Sequence, residues 1–332
     1  MKTGNNSLLK DLKSKKLSVM FLDDDESPCV VSEWMSTGCL ALDAIMGGGL
    51  PVGRLVEIFG DPSTGKSLIA SQVVALAQAS GATGEYVDTE TAVSKDMMEE
   101  VGVDTSKLLY ASPDTVEEVF TIIDETIESK MKIDQDSLLV VVWDSISATS
   151  IKQEMEADYG KPTMGTHARL ISQGLRKITR KIAKSNVCFL ALNQTREKLG
   201  IMFGDNTATF GGKAVSFHAS IRVHLHMKDK IRDKDKHIIG INVRAVVEKN
   251  KLAMPYREAI LPIYFGHGID DDKATLLFLK EAGIITASGP SYKMVIGNKE
   301  FTFKKTGWSK VYESHYDEIE QIVMGVYDTS NS

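Results

Sequence analysis

The stretch that decides the fold is Arg54-Leu-Val-Glu-Ile-Phe-Gly-Asp-Pro-Ser-Thr-Gly-Lys-Ser-Leu68. Its apolar part, 55–59, predicts a short strand, and the residues after it have the apolar spacing of a helix. Between them stands the segment 60–67, which matches the phosphate-binding loop pattern G-x-x-x-x-G-K-[ST] in the strand–loop–helix context that the pattern requires. Because the pattern and both flanking elements agree, the sequence predicts a nucleoside triphosphate site.

The chemistry of phosphate binding explains the spacing of this loop. Gly60 and Gly65 let the backbone turn tightly, so that successive N–H groups point at phosphate oxygens, and the following helix adds its N-terminal partial charge. Lys66 is predicted to reach the β- and γ-phosphates, and the Ser67 hydroxyl to ligate Mg²⁺. The remaining residues predicted to contact the nucleotide are Asp61, Pro62, Ser63, Thr64 and Leu68.

Composition narrows the class of protein. The chain has 332 residues, of which 42% are hydrophobic and 25% charged, as in ordinary globular proteins. Its net charge of −6 means that a nucleic acid would have to be met by a local basic patch. The three cysteines are widely spaced, which indicates neither a disulfide framework nor a zinc site. A polar, lysine-rich N-terminus and the lack of a long apolar run predict a cytoplasmic protein without a membrane partner.

The pattern along the chain predicts three regions. Residues 1–33 combine short helical spacing with a strand-like stretch at 17–22, and this appendage is expected either to fray or to dock on a neighbouring subunit. Residues 34–269 alternate strands and helices, which indicates an α/β sheet with helices on both faces and an antiparallel edge. Residues 270–332 change character and predict a small α+β subdomain.

Two carboxylates are predicted to serve the phosphate chemistry. The run 138–143 is continuously apolar, as expected of a central parallel strand, and Asp144 follows it. An aspartate at that place holds Mg²⁺ through water, although Asp-Ser after a strand is also ordinary turn chemistry. Glu90 follows the strand predicted at 84–88 and is our choice for the group that orients the attacking water. Asp88 is interpreted as structural.

An amide and two loops are predicted at the same edge of the sheet. Asn193-Gln194 closes a buried strand where ligands bind in open parallel sheets, so Gln194 is placed to sense the γ-phosphate. A glycine-dotted loop follows from Thr195, and a second loop, 154–165, precedes a long helix with a basic face. Separately these features are typical of solvated surface, but together they favour a groove for a phosphate backbone. The basic residues of that helix are Arg169, Arg176, Lys177, Arg180, Lys181 and Lys184.

The motifs together resemble the RecA family of recombinases, of the bacterial and bacteriophage type. They follow the family order from about residue 34 to about residue 270, and the set is highly specific although each piece is short. The matching segments are Ser36-Thr-Gly-Cys-Leu-Ala-Leu-Asp43, the loop 60–67, Val142-Trp-Asp-Ser145, Met164-Gly-Thr-His-Ala-Arg169, Asn193-Gln-Thr-Arg-Glu-Lys-Leu-Gly-Ile-Met-Phe-Gly204, Gly211-Gly-Lys-Ala-Val-Ser-Phe217 and Val247-Glu-Lys-Asn-Lys251.

The resemblance implies a fold and a function. The fold is a RecA-like P-loop ATPase core, 34–269, whose twisted, mostly parallel sheet is flanked by helices, with an N-terminal helix–strand arm, 1–33, that docks on the next protomer and a small α+β C-terminal subdomain, 270–332. The function is that of a DNA-dependent ATPase that uses ATP and Mg²⁺. It forms a helical filament on single-stranded DNA and pairs that strand with homologous double-stranded DNA in recombination and repair. A single-strand-binding protein or a loader is a further expected partner.

The resemblance also implies a role for each matching residue. Lys66 and Ser67 match the phosphate and Mg²⁺ residues, Glu90 the water-activating glutamate, and Gln194 the allosteric glutamine. Asp144 matches the family's Walker B aspartate, which holds Mg²⁺. Loops 154–165 and 195–212 match the two DNA-binding loops, and the residues expected at DNA are Met164, Arg169, Arg176, Arg196, Lys198, Gly211 and Gly212. The residues expected at the subunit interface are Lys249 and Lys251, which would touch ATP from the neighbouring subunit, and Phe217.

The sequence departs from the family in a few places and leaves two alternatives. The segment Lys95-Asp-Met-Met98 stands where the family usually has a tyrosine that stacks on adenine, and the long acidic C-terminal tail of bacterial members is missing. A hexameric helicase or motor on the same core is one alternative, which would more often complete the site with an arginine than with Lys249 and Lys251. A DNA-binding accessory ATPase that does not exchange strands is the other. Glu90 and the two complete loops argue against it.

Overall fold

The computed structural model describes residues 2–17, 19–22, 30–91, 93–157, 165–197 and 207–327. Internal contacts divide the chain into two compact units, 1–33 and 34–332. The described part of the first unit consists mainly of helix α1, Lys2–Ser14. The strand expected at 17–22 is not formed by the described residues there, because a strand needs a hydrogen-bonded neighbour and this unit offers no second strand in its described part.

The second unit alternates strands and helices. None of the helices in the described ranges is long and apolar enough to cross a membrane. The helices are α2 (Leu40–Met46), α3 (Lys66–Ala79), α4 (Lys95–Glu100), α5 (Val116–Ile133), α6 (Lys152–Glu156), α7 (Thr166–Ile182), α8 (Lys213–His218), α9 (Asp271–Glu281), α10 (Trp308–Ser314) and α11 (Tyr316–Gly325). The strands are β1 (Trp34–Met35), β2 (Leu50–Pro51), β3 (Arg54–Gly60), β4 (Thr83–Asp88), β5 (Leu109–Ala111), β6 (Leu139–Asp144), β7 (Val187–Glu197), β8 (Thr207–Thr209), β9 (Ile221–Arg232), β10 (Ile238–Asn250), β11 (Glu258–Tyr264), β12 (Gly268–Ile269), β13 (Thr286–Ser288), β14 (Ser291–Ile296) and β15 (Lys299–Lys304).

One large sheet organises the second unit and places the phosphate loop near its middle. Its strand order is β12-β11-β10-β9-β3-β7-β6-β4-β5, and β8 pairs with β7 outside this path. Neighbouring strands from β9 through β3, β7, β6 and β4 to β5 are parallel, whereas the neighbouring pairs β9–β10, β10–β11 and β11–β12 are antiparallel. This confirms the predicted α/β sheet with an antiparallel edge.

Two hydrophobic cores cover the two faces of this sheet. Alternate residues of β6 point to opposite faces: Val140 and Val142 join a core with α2, α3 and α9, whereas Val141 and Trp143 join a second core with α5, α7 and α8. Because both faces are buried, a continuously apolar strand is stable there. The carboxyl ends of β3, β4, β6 and β7 therefore meet at one edge, where the predicted catalytic residues lie.

The region from residue 270 contains helices and a three-stranded antiparallel sheet, β13-β14-β15. Its apolar residues, among them Trp308 and Ile319, belong to the same buried core as α2 and α3. It thereby packs against the sheet-and-helix unit that it follows. The boundary that we predict at residue 270 stays a prediction.

Both expected DNA-binding loops contain regular structure at their ends. Helix α6 covers Glu154 to Glu156, so the first loop begins later than expected. Strand β7 continues past Gln194 to Glu197, because β8 supplies an antiparallel partner whose Thr209 lies opposite Thr195. Met164 and Lys198 lie outside the described residues.

Candidate active site

The phosphate loop has a shape that only glycine permits at its two ends. A Cβ atom on Gly60 would lie 2.3 Å from the carbonyl oxygen of Leu225 in the neighbouring strand β9. Gly65 has a φ of +86°, and a Cβ there would lie 2.7 Å from Cδ1 of Ile263. The loop therefore packs closely against β9 and β11, and this packing fixes the direction of its backbone N–H groups.

Lys66 lies inside this loop. Its Nζ donates hydrogen bonds of 3.0 and 2.8 Å to the carbonyl oxygens of Gly60 and Asp61. Burial lowers the pKa of the Lys66 ammonium, while the nearby carboxylates of Asp144 and Glu90 raise it. The ammonium group is therefore held at the place where phosphate charge would be bound.

A cavity of about 800 Å³ opens beside the loop and gathers most of the predicted nucleotide residues. Asp61 and Thr64 of the loop do not line this cavity and form other hydrogen bonds. Thr64 donates to the Asp61 carbonyl at 2.9 Å, and the Asp61 carboxylate accepts from the Thr195 hydroxyl. The predicted residues that line the cavity are Pro62, Ser63, Gly65, Lys66, Ser67, Leu68, Glu90, Asp144 and Gln194. The rest of its wall is Met97, Met227, Lys230, Ile238, Ile241, Ile263 and Phe265.

Asp144 is buried at the carboxyl end of β6. Its Oδ2 accepts a hydrogen bond of 2.7 Å from the hydroxyl of Tyr86 on the adjacent strand β4. Burial raises the pKa of the Asp144 carboxyl, and hydrogen bonds from Ser67 and Tyr86 lower it. A carboxylate and a serine hydroxyl side by side, next to the phosphate loop, are the hard oxygen ligands that suit Mg²⁺.

Glu90 and Gln194 are in direct contact. Gln194 Nε2 donates to Glu90 Oε1 at 2.9 Å, and Ser145 Oγ donates to the same oxygen at 2.5 Å. Glu90 follows the end of β4, Ser145 follows the end of β6, and Gln194 lies within β7. The fold thereby brings together the predicted water-orienting carboxylate and the predicted sensing amide.

Asp88 is placed differently from Glu90. Its Oδ1 accepts hydrogen bonds from the backbone N–H groups of Glu90 and Thr91, at 3.0 and 2.8 Å, and its Oδ2 accepts one of 3.1 Å from the Tyr110 hydroxyl. Asp88 therefore shapes the turn that carries Glu90, in agreement with its interpretation as a structural residue.

The strand that carries Gln194 connects the phosphate loop to the second predicted DNA-binding loop. The Asn193 side-chain amide donates to Glu57 Oε1 of β3 at 2.9 Å and to the Phe210 carbonyl at 3.0 Å. Thr195 donates to Asp61, as described above. Residues on both sides of Gln194 thus bond to the strand or loop of the phosphate site.

Several predicted DNA-binding residues share a second cavity. It has a volume of about 650 Å³ and brings Arg169 and Arg176 of α7 next to Gly211. Gly212 follows in the same turn before α8. Arg196 lies on β7 with its guanidinium 5.2 Å from the centre of the Phe210 ring. The remaining residues of this cavity wall are Ala168, Ser172, Lys213, Ala214, Phe217 and His218.

Two lysines of the expected basic helix face have another role. Lys177 and Lys181 of α7 form ion pairs with Asp124 of α5, and Lys181 also pairs with Glu128. They lie toward the neighbouring helix, because α5 and α7 pack side by side on the same face of the sheet. The available basic surface of α7 is accordingly smaller than the sequence suggested.

Lys249, Lys251 and Phe217 form a cluster at the C-terminal end of α8. Lys249 Nζ donates to the carbonyl oxygens of Ser216 and Phe217, at 2.5 and 3.2 Å, and Lys251 Nζ donates to that of Phe217 at 3.1 Å. Burial, followed by the charges of Lys251 and Arg222, lowers the pKa of the Lys249 ammonium to about 8. Phe217 has 73% of its surface exposed.

Part of the site was not predicted from the sequence. Tyr86 gave no signal, because a tyrosine in a strand is ordinary core until the register places it beside Asp144. The wall formed by Met227, Lys230 and Ile241 was missed because it depends on how β9 pairs with β10. Phe265, an aromatic residue at the end of β11, was a usable signal.

Comparison with known proteins shows the family to which the chain belongs. The family model described as the RecA N-terminal domain matches residues 7–270. Protein RecA of Mycoplasma genitalium is 40% identical over 261 residues, which cover 78% of this chain and 75% of that protein. Protein RecA of Frankia casuarinae is 39% identical over 293 residues, 88% of this chain and 82% of that protein. Protein RecA of Cereibacter sphaeroides is 38% identical over 267 residues, 80% of this chain and 76% of that protein. On this match and on the geometry of the phosphate loop, the chain belongs to the RecA family of recombinases.

Proposed function

We propose that this chain is an ATP-dependent DNA recombinase that assembles on single-stranded DNA and exchanges it into homologous duplex DNA. The observation that carries the proposal is the hydrogen bond of 2.9 Å between Gln194 and Glu90. It joins the carboxylate beside the phosphate loop to the strand that leads into the segment 195–212. A change at the nucleotide then alters one end of a DNA-contacting segment, which is the coupling that a recombinase needs.

The chain's own residues divide the work of ATP hydrolysis. Lys66 stabilises the charge on the β- and γ-phosphates, and Ser67 and Asp144 hold Mg²⁺, which neutralises further phosphate charge when bound. Glu90 orients the attacking water and accepts its proton. Both Ser145 and Gln194 donate to Oε1 of Glu90, so Oε2 is the oxygen left for the water.

The apolar side of the 800 Å³ cavity is proposed to receive the adenine base. Leu68, Met97, Ile263 and Phe265 line this side. A thioether and an aromatic ring suit a flat base through polarisable contact. Met97 therefore replaces, in this chain, the stacking contact that the family obtains from a tyrosine.

The cavity beside α7 is proposed to hold the phosphate backbone of single-stranded DNA. Arg169, Arg176 and Lys213 supply positive charge there, although the whole chain carries a net charge of −6. Gly211 has no side chain, so the backbone of the DNA strand can approach closely there. Arg196 adds positive charge from β7. Met164 and Lys198 are also proposed to contact the DNA. Base pairing, and not protein contact, would then supply sequence recognition.

The subunits of the proposed filament meet at two surfaces of each chain. Lys249 and Lys251 are proposed to touch the ATP of the neighbouring subunit, with the exposed Phe217 packing at that interface. Residues 1–33 are proposed to form the arm that docks on the next protomer. Leu8, Leu17, Phe21 and Leu22 leave apolar surface exposed in that unit, which supports docking over fraying.

The proposed setting is the cytoplasm of a bacterial or phage-infected cell. The bacterial relatives support this setting. A single-strand-binding protein or a loader is proposed as a partner, because a filament must compete for its strand.

Joint-molecule formation tests the proposal. A labelled single strand, a supercoiled homologous duplex, ATP and Mg²⁺ are mixed with the protein, beside a heterologous duplex. Product from the homologous duplex alone, lost in Lys66→Ala, is the expected result. The protein could instead hydrolyse ATP under stimulation by single-stranded DNA but form no joint molecules, even when a loader is added. That result would contradict strand exchange and favour the accessory ATPase or the hexameric helicase or motor. Ring-shaped particles in micrographs would then single out the motor.

A further inference from the structure

Tyr86 is a buried side chain that bonds directly to a residue of the Mg²⁺ site. We propose that Tyr86 positions Asp144 and thereby sets the affinity of the nucleotide site for its divalent cation. This inference rests on the proposed ATP site. It assigns Tyr86 no contact with substrate, so the residue acts only through Asp144.

The packing of β4 holds the Tyr86 hydroxyl in one place. Tyr86 has none of its surface exposed, and its ring belongs to the core formed with Ile69 and Val73 of α3. Strands β4 and β6 are parallel neighbours, with Tyr86 opposite Val142. A ring fixed on a fixed strand leaves its hydroxyl little freedom, and that hydroxyl donates to Asp144 Oδ2 at 2.7 Å.

The bond holds the Asp144 carboxylate in one orientation. Oδ2 is engaged by Tyr86 at the buried side, so the carboxylate is fixed in the position from which Asp144 would hold the cation or its water. A tyrosine hydroxyl carries its proton at neutral pH and donates it in a hydrogen bond to the carboxylate oxygen. Without it, the carboxylate would be free to rotate, and a buried oxygen would lose its partner.

A second tyrosine provides a matched comparison. Tyr110 donates to Asp88 Oδ2 at 3.1 Å, so it also binds a carboxylate at the end of β4. Asp88 caps backbone N–H groups and does not line the nucleotide cavity. Removing either hydroxyl deletes one tyrosine–aspartate bond, but only Tyr86→Phe alters a proposed cation ligand.

The experiment titrates Mg²⁺ into wild type and Tyr86→Phe in the presence of a fluorescent ATP analogue. We expect the variant to need about tenfold more Mg²⁺ for half-maximal binding, the size typical of losing a hydrogen bond to a metal ligand. Binding of the analogue in EDTA should be unchanged. A parallel titration with Mn²⁺, followed by electron paramagnetic resonance, measures the bound cation directly and should show the same shift.

The controls separate positioning from general damage. Tyr110→Phe is expected to keep the wild-type Mg²⁺ midpoint. Each of three results would overturn the inference. The Mg²⁺ midpoint of Tyr86→Phe could match that of wild type, or Tyr86→Phe could lose as much analogue binding in EDTA as it does with Mg²⁺. Alternatively, Tyr110→Phe could shift the Mg²⁺ midpoint as much as Tyr86→Phe does. Wild-type protein that binds the Mg²⁺–analogue complex but forms no joint molecules would overturn the proposed recombinase and leave the test of Tyr86 valid.

Discussion

Glu85 is a carboxyl group buried inside the sheet, one residue before Tyr86. Its Oε1 accepts a hydrogen bond of 2.6 Å from Thr126, and its Oε2 has no hydrogen-bond partner among the described residues. Burial raises the pKa of Glu85 from 4.5 to about 7, although the bond from Thr126 lowers it. Because the folded protein holds this proton more tightly than the unfolded chain, the resulting stability is complete below pH 4.5 and is lost as pH rises through 7.

We predict that Glu85→Gln removes this part of the pH dependence. The pKa difference corresponds to about 3 kcal/mol of unfolding free energy between the two ends of the window. Urea unfolding at pH 5, 6, 7 and 8 should show a stability that falls less steeply in the variant than in wild type. Asp43 and Asp270 have raised pKa values in both proteins and cancel in the comparison. Parallel slopes would contradict the prediction.

The Gln194–Glu90 bond predicts an effect of a single side chain on coupling. Gln194→Ala removes the donor to Glu90 Oε1 but leaves Ser145 in place. We therefore expect ATP hydrolysis to persist at a reduced level and to lose its stimulation by single-stranded DNA. The measurement compares hydrolysis rates with and without the strand, and Ser216→Ala, away from this bond, is the control. A Gln194→Ala protein with full stimulation would disprove the coupling.

Individual site residues were predictable from sequence when their role is local. Lys66 and Ser67 follow from the spacing of one loop, and Asp144 from the end of one apolar run. The contact of Tyr86 with Asp144 was not predictable, because it depends on the register between β4 and β6. The ion pairs of Lys177 similarly depend on the packing of α5 against α7.

At the scale of elements, the close approach of the phosphate loop to β9 predicts the effect of a methyl group. Gly60→Ala would place its Cβ 2.3 Å from the backbone oxygen of Leu225, which cannot move without breaking the sheet. We expect a loss of about 1–3 kcal/mol in unfolding free energy, with weaker binding of ATP. Chemical denaturation and nucleotide titration measure the two effects.

Gly325→Ala is the matched control for this variant. Gly325 lies in α11, and a Cβ there would meet no atom within 4 Å. The same change should therefore raise stability by roughly 0.5 kcal/mol, since alanine favours a helix and restricts the unfolded chain. Equal effects of the two substitutions would contradict a steric origin.

Elements with a strong local signal were predicted well, and those made by pairing were not. Helix α3 follows the phosphate loop, as the apolar spacing there predicts, because the loop fixes its start and Gly81 follows its end. Strand β7 extends to Glu197 because β8 pairs with it, and β8 lies within 195–212, a segment that the sequence predicts to be a loop. Strands β9 and β10 continue beyond the buried part of the sheet, because their polar residues pair with each other there.

At the scale of the whole molecule, the chain divides into two compact units, and we propose that the first serves assembly and the second catalysis. Residues 34–332 form one compact unit, whereas the described part of 1–33 exposes several leucines. Strand β5 ends the large sheet and pairs only with β4 among the described strands, and Leu109 on it is exposed. An unpaired edge beside exposed apolar surface is a site for strand addition from another chain.

We therefore predict that deleting residues 1–33 abolishes assembly and spares nucleotide binding. The truncated chain should bind a fluorescent ATP analogue as the full chain does, because all the residues of the nucleotide cavity lie after residue 34. Light scattering with ATP and single-stranded DNA should show filaments for the full chain and none for the truncated one. Leu109→Lys in the full chain places a charge on the proposed docking edge and should weaken assembly in the same way. If Leu109→Lys assembles normally while the truncated chain does not, the arm docks at another surface. If the truncated chain itself forms filaments, residues 1–33 have no role in assembly.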